Sequence, residues 1–144
     1  MITADTLREQ ERQFALAFSR GDLATVRPLY HPQVVYLSPT VRLFDWPRRI
    51  EGVDRALEFI ALTIRNLREI AYEAVEQAIT DSGRSAFVRI HFDWSTADGQ
   101  RLRSNYVVIY RYRERLISQQ ELYYDPSGAL EVLDPAGAGG PPQR

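Results

Sequence analysis

The sequence contains no cysteine and no lysine, and it has one methionine and two histidines. Without cysteine, neither a disulfide frame nor a thiolate metal site is possible. His31 and His91 lie far apart, with no His-x-x-x-His or Glu-x-x-His spacing nearby, so no metal ligand set is indicated. No Gly-rich phosphate loop or Gly-x-Ser-x-Gly elbow occurs, so no cofactor is expected and hydrolase triads lose their support. No apolar run approaches the roughly 20 residues that span a bilayer. The opening MITADTLREQERQF lacks a basic segment followed by an apolar one and does not read as a signal peptide. Eighteen basic residues, all arginine, nearly cancel 19 acidic ones, and a net charge of −1 gives no drive toward nucleic acid or an anionic membrane. These bounds describe a soluble, cytoplasmic domain of 144 residues, long enough for a core that needs no staple.

What the chain does have is alternation. From Arg101 to Pro126 it reads as two long strands joined by a turn near Glu114–Arg115. Tyr106, Val108, Tyr110 and Tyr112 alternate with Val107, Ile109, Arg111 and Arg113. After the turn, Leu116, Ser118, Gln120, Leu122 and Tyr124 alternate with Ile117, Gln119, Glu121 and Tyr123. Period-two patterning rich in β-branched and aromatic residues marks half-buried strands. A face that mixes rings with Ser118 and Gln120 suits a cavity wall better than a dry core. Ser85–Ser95 alternates as sharply, with Val88, Ile90, Phe92 and Trp94 set against Arg89, His91 and Asp93. Residues 69–79 are a strand by position. Residues 33–38 form the first strand, with Val34, Tyr36 and Ser38 on one face.

The helical pattern comes mostly earlier. Residues 3–20 predict a first helix with Leu7, Phe14 and Phe18 on one face and Arg8, Glu9, Arg12 and Gln13 polar. Thr6 and Glu9 have capping-box spacing, Thr3 and Asp5 are alternative caps, and Gly21 supplies the stop. Asp22 caps a second short helix through about Tyr30, with Pro28 kinking or ending it early. Gly52 opens a third helix to about Leu67 along the stripe Leu57, Ile60, Ile64 and Leu67. The long connection Pro39–Glu51 carries Phe44 and Trp46 and is expected to fold over something. Residues 134–144 are low in complexity and read as a disordered tail behind a single domain over 1–133. Helices in a run, then strands in a run, predict an α+β fold. Its expected form is a conical barrel: a strongly curved antiparallel sheet with three N-terminal helices on its concave face.

At Phe14–Tyr30, Val34–Pro39, Gly52–Ile60 and Leu116–Leu130 the chain resembles the nuclear transport factor 2-like superfamily. The likeness is strongest to SnoaL-like polyketide cyclases and ketosteroid isomerases. The resemblance implies the cone, a pocket at its open end and frequent dimerisation through the outer face of the sheet. It also implies catalytic positions, and these do not carry the isomerase groups. The first-helix tyrosine of ketosteroid isomerases is matched by Phe14, their general-base aspartate by Ser38, and their second oxyanion donor by a position near Val108. Steroid isomerisation by that mechanism is therefore not expected.

Parity and helix faces converge on one pocket. Its expected ligand-binding residues are Phe14 and Phe18 of the first helix, Tyr36 and Ser38 of the first strand, Trp46 of the loop and Phe59 of the third helix. Trp94, Tyr106, Tyr110, Gln120 and Tyr124 complete it from the later strands. Such a wall fits a small apolar molecule bearing a carbonyl or phenol. Tyr36, Ser38, His91 and Asp93 are the catalytic candidates. His91 and Asp93 share a strand face, but Val88, Ile90, Phe92 and Trp94 claim the buried face and turn that pair outward. Arg42, Asp45, Arg48 and Arg49 either hold an anion at the pocket mouth or form local ion pairs. Val107, Ile109, Ile117 and Tyr123 make the opposite face of the hairpin amphipathic, which predicts a homodimer. The expected function is small-molecule binding with proton-transfer chemistry of the isomerase or cyclase type, or else non-catalytic binding by the same fold. An inward His91, Asp93 or Glu121 would favour the enzyme.

Overall fold

The computed structural model describes residues 1–125 and 130–133. The expected tail, 134–144, lies outside the described residues. Among the described residues the architecture is α+β: two α-helices, three short 3-10 turns and a seven-stranded mixed sheet. Helix α1 covers Ala4–Arg20 and helix α2 covers Val53–Arg65. The strands are β1 (Tyr30–Leu37), β2 (Arg49–Glu51), β3 (Arg68–Ile79), β4 (Ser85–Ser95), β5 (Arg101–Arg113), β6 (Leu116–Tyr124) and β7 (Glu131–Leu133). The sheet order is β2-β1-β6-β5-β4-β3, with β7 paired to β5. Among the described residues no helix is long and apolar enough to cross a membrane.

Local chemistry sets the helix ends. Thr3 is the cap of α1: its Oγ1 accepts from the Thr6 backbone N–H at 3.2 Å while Thr6 Oγ1 accepts from the Thr3 N–H at 2.9 Å. This reciprocal box satisfies two of the donors that a helix start leaves open. Gly21 ends α1 in the left-handed region at φ 68°, where a Cβ would be strained. The expected second helix is instead two 3-10 turns, Leu23–Thr25 and Arg27–Leu29. Asp22 caps the first turn through the Ala24 N–H. Pro28, with no N–H to give to the Ala24 carbonyl, keeps the first turn from running on through it as an α-helix.

Two features of the sheet depart from simple alternation. It is mixed rather than antiparallel, because β1 pairs with β6 in parallel. The chain leaves β1, forms β2 and α2, builds the β3–β4–β5 meander and returns as β6 into the slot beside β1. Such a long crossover permits parallel pairing where a hairpin would not. The second departure is a bulge. Tyr112 faces Ile117 while Arg111 faces Gln119, so Ser118 is the unpaired residue and its hydroxyl donates to the Arg111 carbonyl at 3.1 Å. The bulge reverses the phase of the strand: Ile117, expected outside, is fully buried, and Ser118 leaves the inner face.

Beyond the bulge the inner face is continuous. Ala86, Val88, Ile90 and Phe92 of β4 and Tyr106, Val108 and Tyr110 of β5 are buried against α1 and α2. Phe14 sits at the centre, its ring 6.0 to 6.3 Å from those of Phe18, Tyr30, Tyr72 and Tyr110. Replacing Ile117 by alanine should destabilise the fold by about 2–4 kcal/mol through an unfilled core volume, whereas Ser118→Ala should change it by less than about 1 kcal/mol. Denaturant unfolding of the two variants checks the register directly, since unbroken alternation gives the reverse order.

Candidate functional site

A cavity of about 430 Å³ opens between α1, α2 and one end of the sheet. Phe18 comes from α1, and Ile60, Thr63, Asn66 and Leu67 come from the end of α2 and the link after it. Phe92 and Trp94 end β4, Ser104 and Tyr106 begin β5, and Leu122 and Tyr124 end β6. Tyr36 of β1, with Thr40, Leu43 and Phe44 from the 3-10 turn Pro39–Leu43 and its cap, closes another side; Leu130 completes the wall. The site thus collects the last residues of three strands and the C-terminal turn of a helix, which places it at one end of the sheet.

Five of the eleven expected ligand-binding residues line this space: Phe18, Tyr36, Trp94, Tyr106 and Tyr124. The other six stand behind the wall. Phe14 and Tyr110 are core rings stacked on each other. Gln120 is buried, with its Oε1 accepting from the Tyr30 hydroxyl at 2.6 Å. Phe59 backs the wall, its ring 5.9 Å from Tyr36 and 5.2 Å from Trp46. Trp46 is itself covered by the Arg55 guanidinium, 4.3 Å from its ring. The long loop therefore reaches the cavity through Leu43 and Phe44 rather than through its tryptophan. Ser38 is buried; its Oγ lies 2.8 Å from Thr40 Oγ1 and accepts from the Thr40 N–H at 3.3 Å, so it caps the 3-10 turn.

Polar contacts inside the cavity are few. Trp94 Nε1 donates to Ser104 Oγ at 3.2 Å. Thr63 and Asn66 donate back to the carbonyls of Phe59 and Leu62. The rings of Tyr106 and Tyr124 lie 4.9 Å apart. Burial raises the pKa of all three wall phenols: Tyr36 and Tyr106 strongly, and Tyr124 to about 12, with the nearby Ser38 hydroxyl easing the shift at Tyr36 and Tyr124. They are neutral hydroxyls over the whole physiological range, able to donate but not to act as phenolate bases. The Tyr106 hydroxyl has no hydrogen-bond partner among the described residues, and no buried side-chain polar atom there lacks one. This hydroxyl therefore reaches the cavity surface.

The outward candidates stay outward. Asp93 accepts a two-pronged bond from Arg103, at 2.7 Å from Nε and 3.1 Å from Nη2, across the β4–β5 pair. His91 shares that face between Glu73 and Asn105. Glu121 also lies on the outer face, where the Tyr123 hydroxyl donates to it at 2.7 Å and Arg111 stands 3.6 Å away. In the long loop, Arg49 pairs with Glu51 at 3.1 Å.

One buried acid escapes the sequence reading. Glu11 is 4 % exposed and accepts from the hydroxyls of Tyr72 at 2.5 Å and Tyr110 at 2.9 Å and from the Gln10 amide at 3.0 Å. Gln10 in turn accepts from the Tyr112 hydroxyl at 2.9 Å. The signal lies in the spacing: Glu11 falls four residues after Leu7 and three before Phe14, on the apolar stripe itself. It does not line the cavity; Phe14, Phe18 and Tyr72, whose rings are packed together, stand between. Burial drives its pKa up, and the three donated bonds pull it only partly back. No arginine or histidine among the described residues contacts it.

Comparison with known proteins agrees with this architecture. The sequence profile of the SnoaL-like domain matches residues 11–120. No curated protein matches the chain. Among solved structures, it is similar to TsrD from Streptomyces laurentii, with 15 % identity, a TM-score of 0.72 and coverage of 89 % of this chain and 94 % of that one. It is also similar to SalBIII, an epoxide hydrolase/cyclase-like enzyme with a role in pyran ring formation in the polyether salinomycin. There the identity is 14 %, the TM-score 0.73 and the coverage 92 % and 100 %. A third is TerC, co-crystallised with polyporic acid, with 16 % identity, a TM-score of 0.69 and coverage of 83 % and 92 %. At these identities the likeness is one of fold.

Glu11 makes a prediction with a definite sign. Its folded pKa lies above the unfolded value, so its contribution to stability is fully present below about pH 4.3 and is lost as pH rises toward the folded pKa. Glu11→Gln keeps the acceptor oxygen and removes the ionisation. The melting temperature of the variant minus that of the wild type should therefore increase as pH rises from about 4 to 8. A difference that stays flat or falls over that range would contradict the buried, uncompensated carboxyl.

Proposed function

Because the chain belongs to the SnoaL-like domain family of the nuclear transport factor 2-like superfamily, we propose that it binds a largely apolar small molecule bearing a carbonyl or phenol. The observation that carries this reading is the unpartnered Tyr106 hydroxyl in an aromatic-walled cavity. In this reading the sheet wraps the helices as a cone and the cavity is its open end. A volume of about 430 Å³ falls within the range of small-molecule sites. Rings supply most of the contact and exclude water, while neutral phenols select for an acceptor oxygen. The same donors would stabilise an enolate if the bound molecule underwent isomerase- or cyclase-type proton transfer. That SalBIII is an epoxide hydrolase/cyclase-like enzyme and that TerC was crystallised with polyporic acid support small-molecule chemistry in this fold.

A second reading, ligand holding without turnover, has its own support. The cavity wall among the described residues offers hydroxyls and an amide but neither carboxylate nor imidazole, while His91, Asp93 and Glu121 stand on the outer face. Efficient proton abstraction near neutral pH needs a group that titrates there. Ser38, tied to Thr40, is a cap rather than a base.

We also propose a homodimer through the outer face of the sheet. Phe87 is 42 % and Tyr123 55 % exposed there, with Val107 and Ile109 half-buried among Arg89 and Arg111. Rings and aliphatic groups framed by arginines have the make-up of an interface rather than of a solvated face. Sedimentation at micromolar concentration should report a dimer, and Tyr123→Asp should convert it to monomer; a monomeric wild type would refute the assembly.

The pocket reading is tested with a matched pair of probes, 2-acetylnaphthalene and 2-ethylnaphthalene, followed by tryptophan fluorescence and thermal shift. The ketone should bind more tightly. Tyr106→Phe should weaken the ketone by about 1 kcal/mol, roughly fivefold, and leave the hydrocarbon unchanged. Binding should also be flat from about pH 6 to 9, because the wall phenols stay protonated.

A further inference from the structure

At the other end of the sheet from the cavity, the β3–β4 turn and the β5–β6 turn lie side by side. The Tyr112 N–H donates to the Arg84 carbonyl at 2.9 Å. Between them is a cleft of about 360 Å³ lined by Met1, Gly83, Arg84, Tyr112 and the turn Arg113–Glu114–Arg115. We propose that this cleft is a second binding site, separate from the apolar cavity, for a small phosphate monoester held through its dianionic head.

Charge is the first support. Three arginines and one glutamate line the cleft, which leaves it at net +2. Among the described residues, neither Arg84 nor Arg115 has a side-chain partner, although eight ion pairs there occupy other acids and bases. Arg113 is held from behind: its Nη2 lies 2.9 Å from His31 Nε2 and donates to Gln33 Oε1 at 3.1 Å. Neither partner is an anion, so the guanidinium is positioned without being neutralised. The one acid in the lining, Glu114, approaches His31 Nε2 at 3.5 Å. Guanidinium groups bind phosphate oxygens in paired, directional bonds. A phosphate monoester carries about −1.5 to −2 charges at pH 7, which matches the lining.

Backbone conformation is the second, independent support. Glu114 and Arg115 both have positive φ, 55° and 67°, the combination a two-residue hairpin turn of this hand requires. That turn strongly favours asparagine, aspartate and glycine, because a Cβ with a long side chain is strained there. Here the two central positions carry long charged side chains instead. Non-glycine residues held in this region cluster at binding and catalytic sites. The Tyr112 ring, anchored by its hydroxyl to Gln10, gives the floor an apolar surface for the organic part of the ligand.

Calorimetric titration of the full chain at low ionic strength, with phenyl phosphate against phenyl sulfate, tests the site. The dianionic phosphate should bind saturably and at least about tenfold more tightly than the monoanionic sulfate. Arg84→Gln and Arg115→Gly should each weaken phenyl phosphate by about fivefold or more, while 2-acetylnaphthalene binding stays at the wild-type level. Arg115→Gly places glycine at a positive φ, so its melting temperature should not fall below that of the wild type. Three results would each overturn the proposal. These are no saturable heat up to about 10 mM phenyl phosphate, equal affinity for the sulfate, or a phosphate affinity that both variants leave untouched.

Discussion

A buried phenol must find a partner for its hydroxyl, and the interior is organised by how its tyrosines meet that demand. On the inner face of the sheet and the strands beside it, Tyr30 donates to Gln120, Tyr72 and Tyr110 donate to Glu11, and Tyr112 donates to Gln10. These bonds tie α1 to β3 and β5 across the core, join β1 to β6, and fill the space around Phe14 with rings. Toward the other end of the same face the partners run out. Tyr36 and Tyr124 have only the nearby Ser38 hydroxyl to ease their burial, and Tyr106 has no partner among the described residues. The cavity begins where internal satisfaction stops.

The contrast extends to electrostatics. Glu11 is an acid in a low-dielectric place with only neutral donors around it, so its ionised form is penalised and its proton is retained to higher pH. Its role follows as structural: it accepts the hydroxyls that would otherwise be orphaned. The cavity phenols are shifted by the same burial but keep their protons free to offer to a guest. One physical effect, desolvation, therefore produces a closed polar cluster beneath the wall and an open set of donors within it.

Much of this was legible in the residues. The bounds of β4 follow from strict alternation over Ser85–Ser95, and Gly21 marks the end of α1 because the backbone there is left-handed. Five wall residues could be read from parity and helix phase alone. The misreadings have physical causes. Alternation cannot report a residue left unpaired, so the Ser118 bulge inverted Ile117. Helical spacing treats an acid as solvent-facing, which hid Glu11 on the apolar stripe. The parallel pairing of β1 with β6 depends on contacts across more than eighty residues of chain, which no local pattern carries. Thr63, Asn66 and Leu67 reach the cavity only because of how α2 docks, a tertiary fact.

A crystal structure of the protein with 2-acetylnaphthalene would show whether Tyr106 is the free donor of an apolar cavity. The naphthalene should lie between Phe18, Phe92 and Trp94, with its carbonyl oxygen about 2.7–2.8 Å from the Tyr106 hydroxyl. A ligand bound elsewhere, or a cavity filled by collapsed side chains with Tyr106 bonded to the protein, would contradict that role.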